Sequence, residues 1–89
     1  MTTINFSIHF RSSLKKLARK QPETIAVIVE KILLFSNNSN HPSLRLHKLS
    51  GTLKDHWAFT VEYDLRIIFR YTPDGNILFV DIGSHAQVY

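Results

Sequence analysis

The chain has 89 residues, 44% hydrophobic and 20% charged, a length that fits one small domain over residues 1–89 and a composition that excludes disorder. Eleven Lys and Arg against seven Asp and Glu leave a formal charge of +4, so the expected partner is acidic, a phosphate backbone or an acidic protein. The absence of cysteine excludes disulfides, thiolate zinc sites and cysteine nucleophiles.

In chain order, Ile4, Phe6, Ile8 and Phe10 alternate with Asn5, Ser7 and His9, the period of a half-buried strand over residues 4–10. Residues 1–11 lack the long apolar run of a signal peptide, and no segment approaches the ~20 apolar residues of a membrane span, so a cytoplasmic protein is expected. Ser12 or Ser13 caps a first helix over 14–21, with Leu14, Leu17 and Ala18 on one face and Lys15, Lys16, Arg19 and Lys20 around the rest. Pro22 suits the first turn of a second helix, along which Ile25, Ile28, Val29, Ile32 and Phe35 recur at helical spacing. The two helices read as a hairpin whose second member lies across a sheet. Residues 36–42 are a loop by composition.

The rest reads as sheet. Strands are predicted over 44–49, over 56–62 and over 65–72, with Tyr63-Asp64 as a tight connection and Pro73-Asp74-Gly75-Asn76 as a hairpin turn. A last strand covers 77–82, followed by the tail from Gly83 to Tyr89. The fold class is α+β in the order β-α-α-β-β-β, with helices packed on one face of an antiparallel sheet.

Alternation then assigns the sheet faces. Trp57, Phe59, Val61, Ile67, Phe69, Tyr71, Leu78, Val80 and Ile82 form the apolar set. The opposite, open face gathers Arg45, His47, Ala58, Thr60, Arg66, Arg70 and Asp81 with no competing hydrophobic cover, and His85 and Tyr89 follow where the last strand releases the chain. Arginine forks hold phosphate and imidazoles exchange protons near neutral pH, so this face suits RNA. Each residue also has an ordinary alternative: Arg66 and Arg70 as solvated partners of Asp81 or Glu62, Asp64 as a turn residue, Tyr89 as a cap on the core. The five histidines show no metal-ligand spacing, and no metal or other cofactor is expected.

The run from Leu46 to Gly51, Trp57, the run Asp64-Leu65-Arg66-Ile67-Ile68-Phe69-Arg70-Tyr71 and the ending Ile82-Gly83-Ser84-His85-Ala86-Gln87-Val88-Tyr89 resemble the RelE/ParE toxin superfamily. Within it the look is closest to YafQ-like mRNA interferases of type II toxin-antitoxin systems. His47, Asp64, His85 and Tyr89 occupy the positions of that branch's polar set, while Thr60 and Leu65 stand where the branch has His and Trp. Arg66 matches the arginine that RelE and YoeB types set against the scissile phosphate, whereas the lysine pair of RelE proper falls on Ala58 and Thr60.

The resemblance implies a ribosome-dependent, metal-free endoribonuclease that inhibits translation. A base deprotonates a ribose 2′-OH, the oxygen attacks phosphorus, and an acid protonates the leaving 5′-oxygen. His85 is then the acid, Asp64 or His47 the base, Arg66 the charge stabiliser and Tyr89 the nucleotide positioner. Arg70, Lys48, Lys54 and Arg45 are expected to hold RNA. Expected partners are a cognate antitoxin and mRNA on the ribosome. The alternatives are a ParE-like gyrase inhibitor, which usually lacks the His85–Tyr89 pair, and a catalytically degenerate RNA-binding member.

Overall fold

A computed structural model describes residues 2–89; Met1 of the expected 1–89 domain lies outside them. The alternation over 4–10 does not continue as one strand. Strand β1 covers Ile4–Phe6 and helix α1 follows over Ile8–Lys20. Ser7 makes the break. Its N–H donates to Phe79 O at 3.0 Å, the last rung of strand pairing, and its Oγ accepts the Phe10 N–H at 2.9 Å as a helix cap. Beyond it Phe10, Leu14 and Leu17 fall at i, i+4 and i+7 and turn one face to the core, so the helix start predicted at Ser12 or Ser13 is corrected to Ser7.

Helix α2 spans Thr24–Asn37, with Pro22 and Glu23 forming the turn before it and Thr24 Oγ1 donating to Gln21 O at 2.7 Å. It buries Ile28 and Phe35, but Val29 and Leu33 remain exposed, so its apolar character exceeds what the sheet covers. The strand predicted over 44–49 shrinks to β2, His47–Lys48. Pro42 opens a 3-10 turn over Pro42–Leu44, and Arg45 leaves it with φ +48°, a left-handed conformation that no strand contains.

Strands β3 (Trp57–Glu62), β4 (Leu65–Tyr71) and β5 (Ile77–Ser84) form an antiparallel meander. Short helix α3, His85–Val88, follows directly. The sheet order is β1-β5-β4-β3-β2, and β1 pairs parallel to β5, so the sheet is mixed rather than wholly antiparallel. Helices α1 and α2 cover one face, α1 over β5 and α2 over β3.

A bulge reverses the expected facing of the first part of β5. Ile68 pairs with Asp81 and Phe69 with Phe79, which leaves Val80 as the extra residue. Ile77, Phe79 and Ile82 are therefore the buried core residues, whereas Leu78 and Val80, predicted inward, are only half-buried. Asp81, next to the bulge, reaches Ser13 and His9 on α1 rather than standing free on the open face as predicted. All six phenylalanines join one aromatic cluster, with Phe35 stacked on Phe59 at 4.5 Å and edge-on to Phe69 at 4.9 Å. Truncating a buried ring of this kind typically costs ~3–5 kcal/mol, so this cluster anchors the helices to the sheet. The opposite face is less polar than predicted, because Ala58 and Ile68 on it are buried.

Candidate active site

The last residues of β5 set the site's geometry. A Cβ on Gly83 would lie 2.9 Å from Gln87 Oε1 and 3.1 Å from Val88 Cγ1, so a side chain here would crowd the returning α3. Gln87 Oε1 accepts the Ser84 N–H at 2.9 Å, the returning half of a capping box. That turn places His85 and Tyr89 four residues apart on one helical face, and their rings meet edge-to-face at 4.3 Å.

Asp64, in the turn between β3 and β4, reaches both neighbours. Its Oδ1 accepts from Arg66 Nη1 at 2.9 Å and from the His85 backbone N–H at 3.4 Å. The carboxylate thus ties the first residue of α3 to the guanidinium at the start of β4. The Arg66 side chain is 24% exposed and that of Asp64 50%, so this ion pair orders the two groups more than it stabilises the fold.

His47 closes the set from β2. Its Nδ1 lies 2.9 Å from Arg45 O and its Nε2 3.3 Å from the Tyr89 hydroxyl. A carbonyl only accepts, so Nδ1 carries the proton and, in the neutral ring, Nε2 takes the tyrosine O–H. Burial pushes the Tyr89 phenol above its usual range, against a lowering by the Arg66 charge, which keeps the hydroxyl a donor at neutral pH. Arg66, Asp64, His85, Tyr89 and His47 are consequently linked in one chain of contacts.

Two grooves meet at His47. The larger, about 910 Å³, is lined by Arg45, His47, Thr60, Glu62, Tyr63 and Arg66. The smaller, about 340 Å³, carries Lys48 and Leu53 beside Tyr89. Thr60 sits directly across the β3–β4 ladder from Arg66, and Leu65 is half-buried against the core. Arg70 lies four residues along β4 from Arg66, ~13 Å at strand rise, on the same face; it and the exposed Lys54 line neither groove. Residue patterns alone missed Gly83 and Gln87 as the parts that fix α3, although Ser84-His85-Ala86-Gln87 has capping-box spacing. Lys31 and Tyr63 in the larger groove had no sequence signal.

A second polar cluster lies between α1 and β5. Asp81 Oδ1 accepts from Ser13 Oγ at 2.8 Å and from the Ile82 N–H at 2.8 Å, while Oδ2 meets His9 Nε2 at 3.2 Å. Among the described residues, no three His, Cys, Asp or Glu side chains converge in a way that would hold a metal ion. No helix among them is long and apolar enough to cross a membrane.

A family model described as "Bacterial toxin of type II toxin-antitoxin system, YafQ" matches residues 2–89. A comparison with curated proteins gives no match. Among solved structures, YafQ from E. coli strain BL21(DE3) is 24% identical with a TM-score of 0.83, over 100% of this chain and 99% of that one. A chain of the E. coli DinJ–YafQ complex is 25% identical with a TM-score of 0.81, over 100% and 99%. A YoeB/ParE toxin from Agrobacterium tumefaciens shares the fold at 13% identity, with a TM-score of 0.76 over 96% and 99%.

Proposed function

This chain belongs to the YafQ family of bacterial toxins of type II toxin-antitoxin systems, and we propose that it arrests translation as a ribosome-dependent mRNA endoribonuclease. One observation carries the reading: His85, Tyr89, His47, Asp64 and Arg66 form a continuous contact chain, whose His47 and Arg66 line a cleft with Arg45. Two imidazoles beside one arginine supply what cleavage by a 2′-hydroxyl needs, namely a base, an acid and a charge to oppose the phosphorane.

His47 is the better base. Its Nε2 faces a hydroxyl, and a ribose 2′-OH replaces Tyr89's there when RNA enters. Asp64, by contrast, already holds the Arg66 guanidinium and the His85 N–H through Oδ1, a role in ordering rather than proton abstraction. The 2′-oxygen loses its proton to His47 and attacks phosphorus. Arg66 opposes the charge on the equatorial oxygens, and His85 protonates the departing 5′-oxygen. Bond formation to the 2′-oxygen and loss of the 5′-oxygen leave a 2′,3′-cyclic phosphate and a 5′-hydroxyl. Tyr89 positions the nucleotide, and Arg45, Lys48, Lys54 and Arg70 hold flanking phosphates. The site is shallow and open, so alignment for in-line attack comes from mRNA threaded on the ribosome, and free RNA is cut poorly.

The E. coli relative is named in complex with DinJ. We propose a cognate antitoxin here too, acidic enough to meet a +4 chain and covering the basic cleft. The protein acts in the cytoplasm as one domain, without a cofactor. The deciding experiment induces the chain without antitoxin and maps mRNA 5′ ends. His85→Ala should lower cleavage of ribosome-bound message by ~10²–10⁴-fold, the usual worth of a general acid. Unchanged cleavage overturns the assignment, and DNA-damage signalling without translation arrest points to gyrase instead.

A further inference from the structure

Arg45 is the one non-glycine residue with positive φ among the described residues, at +48°. Left-handed backbone is cheap for glycine or asparagine and costly for an arginine, so an arginine held there invites a question about both its backbone and its side chain. The backbone has a clear task. The Arg45 N–H donates to Pro42 O at 3.2 Å, closing the 3-10 turn, and the left-handed step then aims its carbonyl at His47 Nδ1, 2.9 Å away. The side chain lines the same cleft as His47, Thr60 and Arg66.

We propose that Arg45 is a positioning residue for His47: its left-handed backbone fixes the imidazole as the Nδ1–H form with Nε2 turned to the substrate, while its guanidinium holds a phosphate in the cleft. The inference rests on the nuclease reading for its kinetic part only. The orienting contact is local. His47 lies on a strand of two residues at the sheet edge, where ladder pairing does little to fix the ring. An imidazole free to flip about χ2 would present Nδ1 and Nε2 by turns and spend part of its time with the protonated nitrogen toward the 2′-OH. A carbonyl acceptor on the opposite side removes that freedom, as outer hydrogen bonds do for histidines in many sites. Asn or Gly at position 45 would reach the same backbone with less strain but would lack the cation. That difference is a physical reason for arginine at this position.

The two tasks separate by substitution. Arg45→Gly keeps the left-handed conformation and removes the cation, whereas Arg45→Val removes the cation and disfavours that conformation through its branched Cβ. Long-range ¹H–¹⁵N spectra of histidine-labelled protein should show His47 with a protonated Nδ1 and a bare Nε2 in the wild type and in Arg45→Gly, and a mixed signature in Arg45→Val. On ribosome-bound message, Arg45→Gly should raise KM several-fold with kcat nearly kept, and Arg45→Val should in addition lower kcat by ~10-fold or more, within the usual worth of a general base. Thermal melts of both variants separate this from misfolding: a folded Arg45→Val with wild-type His47 shifts and kcat overturns the proposal. If Arg45→Val does not fold, a mixed His47 signature in wild-type protein, or its loss in Arg45→Gly, overturns it equally. If the wild type cuts no message, the nuclease reading fails, while the ring spectra still decide whether Arg45 orients His47.

Discussion

Two carboxylates in this molecule keep the same kind of company, and they do different things. Asp81 meets a histidine, a hydroxyl and a backbone N–H, while Asp64 meets an arginine and the backbone N–H of His85. Residue type does not separate them; their surroundings do. The Asp81 side chain is 18% exposed, its Oδ1 holds two donors, and those donors belong to α1 and β5, so it pins a helix to a strand. Asp64 is half exposed, and its partner Arg66 lines a cleft with His47, whose ring meets the Tyr89 phenol. A polar cluster is a candidate site when its groups converge on space that a substrate fills, and a strut when they converge on each other.

The sharpest way to break that contrast is Arg66→Ala. The guanidinium is more buried than its partner and faces the cleft, so its loss should lower kcat on ribosome-bound message by ~10²–10³-fold, the scale of removing one preorganised charge stabiliser. Thermal stability should barely move, because a part-exposed ion pair contributes only ~0–1 kcal/mol. Single-turnover cleavage beside a melting curve reads both. A large fall in stability with normal cleavage would make Asp64–Arg66 a strut like Asp81.

Asp64→Asn sharpens the contrast by asking what the charge does. The amide oxygen still accepts from Arg66 and from the His85 N–H, so the order of the turn is largely kept. With His47 as base, cleavage should fall only ~10-fold, from a less well-held Arg66, below the ~10²–10⁴-fold worth of the base itself. A loss as deep as that of His85→Ala would move the base to Asp64.

The contrast was only partly legible in the sequence. β3 was read to within one residue, His56, and the Pro73–Asn76 turn was found, because strong alternation and turn residues are local signals that tertiary packing leaves intact. The first strand was overextended because Ile4, Phe6, Ile8 and Phe10 satisfy a period of two, while Phe6 and Phe10 also sit at i, i+4; Ser7 decided between these, and a serine cap looks the same in a loop. Leu78 was placed on the wrong side because one bulge residue, Val80, inverts the facing of everything before it, and Asp81, just past the bulge, reaches Ser13 and His9 on α1. Alternation put His47 and Arg66 on the open face, but the roles of His47, Asp64, Arg66, His85 and Tyr89 came from resemblance. Their assembly depends on α3 returning close over Gly83 at the strand end, and the Ser84–Gln87 capping-box spacing is a weak signal for that return.

Asp81→Ala is the reciprocal test, and its effect should fall on the fold alone. Removing the carboxylate leaves the Ser13 hydroxyl and the Ile82 N–H without their acceptor in a part-buried site, a loss of ~1–3 kcal/mol. For a chain of this size that lowers Tm by ~5–15 °C. The His9 contact contributes little, since that imidazole is mostly exposed. Below the melting transition, cleavage of ribosome-bound message should match wild type, because Asp81 does not line the cleft that holds Arg45, His47 and Arg66. Lys16, Lys20, Gly83 and Gln87 share a separate hollow with Asp81. Through Gly83 and Gln87 the strut touches α3, which carries His85. If Asp81→Ala cut activity while leaving Tm unchanged, that shared wall would be the route, and the division between strut and site would not hold.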